Sequence, residues 1–387
     1  MNHADFQSSF PGRLINNLER QITFVPNHLP PGITLPASFA KRISEVDNLL
    51  GRLDGKAQSL PDRQILVRSF VRREAQLSSY IENTYARYEE IAAAESAGRK
   101  AEIKEPIRET FNAERAINAG VTAVFEKGRP VSVALIRQMH ELLLSGVRGH
   151  ESRGRYRDRQ VFIGKEHEDV RLARFVPAPA HFIDELMESF EQYLSGTDDL
   201  PAIIQIALLH YQFETIHPFQ DGNGRLGRIL ILLGLCQHNL LHVPLLNASL
   251  HFERNRQQYC DGLLRVSTHG DWNGWISFFI EGLKVAAIES MHKLTDLTEL
   301  QRQYHDRLRS ARNSSLLLTL VDHLFIKPVV TISDAARIMK VSYQAAQNSV
   351  QKLVAAKILV EINPRTPPAR FIARSILKAV NAEPTPR

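Results

Sequence analysis

The chain has 387 residues, 43% of them hydrophobic, with 48 Lys and Arg against 42 Asp and Glu for a formal net charge of +6, so two or three domains with sizeable cores are expected. Two cysteines, Cys236 and Cys260, exclude a disulfide framework and a four-cysteine zinc site. The longest apolar run, ILILLGLC at 229–236, is too short for a membrane span, and MNHADFQSSFPGRL is no secretory leader, so a cytoplasmic protein without a membrane partner is expected.

In chain order, the first forty residues carry Pro11, Pro26, Pro30, Pro31 and Pro36, a density that predicts an extended arm over a folded body. From 37 to 97, Ile43, Val46, Leu49, Leu50 and Leu53, then Ile65, Val67, Phe70, Leu77 and Ile81, recur at helical spacing, which predicts two or three amphipathic helices. Helical patterns return at 106–126, 131–145 and 178–195. Between the last two lies an arginine-rich stretch whose runs Val161-Phe162-Ile163-Gly164 and Arg174-Phe175-Val176-Pro177 predict a β-hairpin. Helices are predicted at 201–215, 224–239, 252–268 and 272–295, with a charged helix at 296–310 after them.

Ile216 to Arg228 read IHPFQDGNGRLGR. Pro218 ends the helix before it, because the residue preceding a proline avoids helical backbone. Gly222 and Gly224 let the chain turn sharply into the next helix, whose free N–H groups and partial positive charge suit phosphate oxygens. Arg225 and Arg228, three apart, share a helix face suited to the outer phosphates of a triphosphate. Asp221 is placed to hold Mg²⁺ between two phosphate oxygens, and His217 to take a proton from an attacking hydroxyl. Gly222 to Gly227 also spell G-x-G-x-x-G, but a helical pattern stands where a dinucleotide fold needs a strand, and no acidic residue follows about twenty positions on. A P-loop is excluded by the missing lysine.

This segment resembles the signature H-P-F-x-[D/E]-G-N-G-R-x-x-R of the Fic (filamentation induced by cAMP) family and matches it at each specified position. The resemblance implies a mainly α protein: a helical core with a small β-hairpin flap, and transfer of AMP from ATP-Mg to Ser, Thr or Tyr hydroxyls of a target protein and of the chain itself. It makes His217 the base and Asp221 the metal ligand. Gly222, Asn223, Gly224, Arg225, Leu226, Gly227 and Arg228 become the nucleotide-binding stretch, with both arginines on the β- and γ-phosphates. Val161, Phe162, Ile163 and Gly164 look like the target-docking flap, which would align an extended target segment by backbone pairing. Tyr259 falls in a segment similar to the adenine-pocket segment, although Cys260 stands where relatives often carry a second tyrosine; core packing is the other reading of Tyr259. Upstream, Ser78-Ser79-Tyr80-Ile81-Glu82-Asn83 fits the family's inhibitory pattern [S/T]-x-x-x-E-[G/N], which implies that Glu82 competes with phosphate for Arg228.

Past residue 316, DAARIMK and YQAAQNSVQKLVAAK, followed by ILVEIN, PRTPPA and RFIAR, resemble a winged helix, docking either DNA or protein. The expected division is an arm and N-terminal helical domain over 1–105, a catalytic core over 106–295, a helical linker over 296–315 and the winged helix over 316–387. A transcription regulator with a nucleotide-sensing body, and a chain that removes AMP or transfers UMP or phosphocholine, stand as alternatives. The oligomeric state, a homodimer included, is left open.

Overall fold

Strands β1 (Gly12–Asn16) and β2 (Ile22–Pro26) pair antiparallel, Gly12 opposite Pro26 and Asn16 opposite Ile22. The arm expected to be merely extended is thus partly a hairpin. Phe24 is buried and its N–H bonds the Val176 carbonyl at 2.9 Å, so the hairpin is tied to the body near the end of the arginine-rich stretch. The computed structural model describes residues 1, 3–8, 11–17, 19–60, 64–96, 103–164, 173–196, 198–309, 315–362 and 368–381.

Three helices follow, as the spacing predicts: α1 (Ser38–Gln58), α2 (Gln64–Ile81) and α3 (Tyr88–Ser96). In α1 the buried residues Val46, Leu50, Leu53 and Ala57 form one stripe, the amphipathic arrangement that holds a surface helix on a core. Next come α4 (Glu105–Val121), continued by one π turn to Glu126, then α5 (Val133–Leu143), α6 (Ile183–Ser195), α7 (Ala202–Ile216) and α8 (Asn223–Gln237). α7 and α8 are buried on nearly all sides and pack on each other. A helix apolar all round has no solvent face and belongs in the interior, so the loop joining these two is anchored at both ends in the centre of the molecule.

The stretch expected to be one helix at 252–268 is two, α9 (Ser249–Arg254) and α10 (Arg256–His269), broken at Asn255. The two helices expected at 272–295 and 296–310 are one, α11 (Trp272–Arg309); neither Gly nor Pro stands near the junction to stop it. α11 packs along α1. Beyond it lie α12 (Ser315–Ile326), β3 (Val329–Thr331), α13 (Ile332–Met339), α14 (Tyr343–Ala355), β4 (Val360–Ile362), β5 (Arg370–Ile372) and α15 (Arg374–Asn381). The three strands form an antiparallel sheet in the order β3-β5-β4. The expected boundary between linker and winged helix at 315/316 falls at the start of α12, while residues 310–314 before it and 363–367 between β4 and β5 lie outside the described residues. Rather than standing apart, this terminal span shares its apolar core with the body: one cluster of buried side chains runs from Val25 through Phe70 and Phe213 to Leu320 and Val380.

Candidate active site

The loop from 217 to 222 is held at every step. His217 ends α7 with left-handed backbone, φ 51° and ψ 60°, the turn that lets the chain leave a helix immediately before Pro218. Arg157, only 4% exposed, donates from Nε to the His217 carbonyl at 2.8 Å, while its N–H bonds the Pro218 carbonyl at 3.0 Å. Asn223 clamps Phe219 twice, accepting from its N–H at 2.9 Å and donating to its carbonyl at 2.8 Å. His140 stacks on the Phe219 ring with centroids 3.8 Å apart and donates from Nε2 to the Asp221 carbonyl at 3.0 Å. Gly222, φ 80°, then makes the left-handed turn into α8. The Asn223 side chain, expected in the nucleotide-binding stretch, shapes the loop in this structure. His140 and Arg157 carried no signal of this role in the sequence.

His217 is only partly exposed, and its Nδ1 lies 3.2 Å from the Glu214 carbonyl. A carbonyl only accepts, so Nδ1 carries the proton and Nε2 the lone pair. Burial, then the neighbouring Arg157, lower the imidazole pKa to about 4. The ring is therefore neutral at physiological pH and free to accept a proton at Nε2.

Arg228 is 1% exposed and meets two of the three specified positions of the upstream pattern, Ser78 and Glu82. Its Nε donates to Ser78 Oγ at 2.9 Å, and its Nη2 to the Ser78 carbonyl at 2.9 Å and to Glu82 Oε1 at 2.6 Å. Asn83 supplies the left-handed residue, φ 60°, that closes α2 directly after Glu82, which is why Gly or Asn suits that position. Burial works against ionisation of Glu82, yet the Arg228 pair outweighs it and leaves the carboxyl below its ordinary range. A methyl group built on Gly224 would stand 2.2 Å from Glu82 Oε1. The carboxylate therefore lies over the first turn of α8, where opening N–H groups have no helical partner, and takes the position an anion would take.

Arg225 is also engaged. It pairs with buried Glu109 of α4 and reaches Asp221 Oδ1 at 3.4 Å. Asp221 further accepts from Gly222 N–H at 2.6 Å and from Arg148 Nε at 3.2 Å, its side chain about one quarter exposed. Among the described residues, no three His, Cys, Asp or Glu side chains gather around a metal position. One accessible carboxylate beside the opening turn of a helix fits magnesium, which commonly takes one or two carboxylates and fills its shell with phosphate oxygens and water.

Tyr259, expected at the adenine, is 3% exposed; its ring stacks on Phe252 at 4.9 Å and its hydroxyl meets His210 Nε2 at 2.8 Å. It is a core residue behind Arg228, held there by the aromatic cluster around Trp275. Leu226 is fully buried and serves packing, whereas Gly227 makes room: a methyl there would lie 2.3 Å from Glu214 Oε1. Among the described residues, Ile163 and Phe175 exchange two backbone bonds, 2.8 and 3.2 Å, as an isolated bridge. Phe162 and Ile163 are exposed beside Gly164, Val161 faces inward, and residues 165–172 lie outside the described residues.

Residues 130–235 match the sequence profile of the Fic/DOC family, and residues 40–122 that of the Fic/DOC family N-terminal region. Over 137 residues the chain is 31% identical to the probable protein adenylyltransferase of Aquifex aeolicus, covering 35% of this chain and 37% of that protein. Over 172 residues it is 28% identical to the protein adenylyltransferase Fic of Nematostella vectensis, covering 44% and 36%. The chain thus spans little more than a third of the length of these curated relatives. A crystal structure of a Fic family protein from Desulfovibrio desulfuricans G20 superposes with a TM-score of 0.57 at 21% identity, over 89% of this chain and 98% of that one, a likeness of fold. The two profile matches fall on the loop that carries His217 and on the helix that carries Ser78, so residues 40–122 and 130–235 form the N-terminal region and the core of a Fic/DOC domain.

Proposed function

We propose that the chain is a protein adenylyltransferase, held off in this conformation by Glu82. The observation that carries the reading is the pairing of a neutral imidazole, its Nε2 lone pair available, with a helix start and two arginines arranged for an anion. The relatives named protein adenylyltransferase support it.

In the reaction a target hydroxyl attacks the α-phosphorus of ATP and passes its proton to Nε2 of His217. A bond forms from that oxygen to phosphorus, the bond from the α-phosphorus to the bridging oxygen breaks, and pyrophosphate leaves. Arg228 and Arg225, once released from Glu82 and Glu109, would hold the outer phosphates, and the N–H groups of 222–224 would face them. Magnesium bound through Asp221 would neutralise phosphate charge. Arg157, Asn223 and His140 keep the loop in register, so little reorganisation is needed at the moment of transfer. Phe162 and Ile163 offer an exposed edge for an extended target segment.

The test uses Glu82→Gly protein with ATP labelled at the α- or the γ-phosphate, in the presence of magnesium and lysate. Label from the α-position alone is expected, and His217→Ala in the same background should lower it by roughly 10²–10⁴-fold while ATP binding persists. Label from the γ-position would mean a kinase. A His217→Ala protein retaining a third of the transfer would remove the imidazole from the mechanism.

A further inference from the structure

The net charge of +6 is not spread along the chain. Residues 315–381 hold nine Lys and Arg against three Asp and Glu, so the entire excess lies in this terminal span and the remainder is balanced. Two of the three acids are engaged locally. Asp334 closes the capping box of α13 with Thr331 and pairs with Arg337 at 2.7 Å. Asp322 accepts from Gln301 and His305 of α11, each at 2.7 Å. A span whose acids are taken up in this way presents a positive field to solvent.

The span rests on the body through α12, β3 and α15. Its helix α14 packs on α13 and turns its other side outward. Ala346, Val350 and Leu353 form the buried stripe, while Tyr343, Gln344, Asn348, Gln351 and Lys352 are exposed and Gln347 is half-buried at its edge. Exposed Lys340 stands just before the helix and exposed Lys357 just after it. The exposed face thus has uncharged amides in its middle and cations at its ends.

From this arrangement we infer that the face formed by α14 with Lys340 and Lys357 docks double-stranded DNA, α14 lying in the major groove. Amide side chains are suited to adenine, whose N6 and N7 offer a donor and an acceptor side by side. Lysines at both ends of the helix would meet the phosphates that border the groove. Double-stranded RNA is disfavoured, since its major groove is too narrow for a helix. A protein partner would want an apolar anchor in the centre of the face; Tyr343, at one end, is its one large apolar side chain among the described residues.

The full chain is titrated into a labelled thirty-base-pair duplex of mixed sequence, followed by fluorescence anisotropy between 50 and 200 mM salt. If three lysines each neutralise a phosphate, affinity should fall roughly 40-fold over that range. Changing Lys340, Lys352 and Lys357 together to Gln should weaken binding at 50 mM salt at least about ten-fold and flatten the salt dependence. Gln344→Ala with Gln351→Ala should leave that dependence in place but reduce the preference for duplexes selected from a random pool over bulk DNA. Unchanged melting temperatures establish that the variants are folded. The inference is overturned by absence of duplex binding at 50 mM salt, by full binding in the triple lysine variant, or by equal affinity for single strands or double-stranded RNA. Capture of a polypeptide by this face without any duplex binding overturns it as well.

Discussion

Arg228 sits among carboxyls that do not share it equally. Glu82 takes the hydrogen bond, whereas Glu214, against Gly227 on the other side, has an oxygen with no hydrogen-bond partner among the described residues. Burial, only partly offset by Arg228, raises the Glu214 carboxyl from the ordinary 4.5 to about 7. A carboxyl raised on folding keeps its proton in the native state after the unfolded chain has lost it, so stability drains away as pH climbs from about 4.5 to about 7. Glu214→Gln removes that titration. Its effect on stability should therefore be more favourable at pH 8 than at pH 5, by about 2 kcal/mol or a few degrees of melting temperature. Equal shifts at both pH values would mean that the side chain ionises as freely in the fold as in water. No pattern in the sequence flagged this residue, because a glutamate three positions before a histidine carries no local signal and its environment is made by Gly227 and Arg228 from the next helix.

At the scale of elements, α2 works as a ruler with contacts at four-residue steps. The Phe70 carbonyl accepts from Asn247 at 2.9 Å, Glu74 accepts from Ser249 Oγ at 2.5 Å, and Ser78 and Glu82 meet Arg228. If Glu82 blocks the phosphate position, Glu82→Gly should raise self-labelling roughly 10- to 10³-fold, since the electrostatic competitor is gone. Ser78→Ala deletes one bond to a charged group and leaves two, so about five-fold is expected. Wild-type labelling in Ser78→Ala, with high labelling in Glu82→Gly, would leave the brake to Glu82 alone. The loop at 217–228 was legible because its chemistry is contiguous and its glycines and proline fix the turn. Glu82 was legible only through the spacing of its pattern. Glu109, His140 and Arg157 were not, because each acts on the loop from a separate element and an isolated charged residue on a helix face usually means solvent. The β1–β2 hairpin escaped because prolines obscure its strand alternation, and α11 was divided in two where composition changes but nothing breaks the helix.

Across the whole molecule, the helix that leads into Glu82, the proposed brake, is also the helix on which the terminal span rests. α2 packs against α12, and Ser69 Oγ donates to the Phe325 carbonyl at 2.8 Å in the buried interface. Ser96 of α3 does the same for the Val329 carbonyl at 2.7 Å. Arg72, buried in α2, bridges Glu95 of α3 at 2.9 Å and Glu114 of α4 at 3.0 Å, so α2, α3 and α4 are linked behind Arg228. A displacement of the terminal span would then bear on the end of α2, where Glu82 must stay within 2.6 Å of its partner to compete with phosphate. Ser69→Ala with Ser96→Ala leaves two buried carbonyls without donors, and each such loss costs about 1–3 kcal/mol. With Glu82 present, the double variant should show raised self-labelling. In the Glu82→Gly background, where the brake is already absent, the same pair should add nothing, and this non-additivity separates release of Glu82 from a general loosening of the fold. Equal gains in both backgrounds, or none in the first with the interface measurably weakened, would mean that the terminal span is carried by α2 without acting through it.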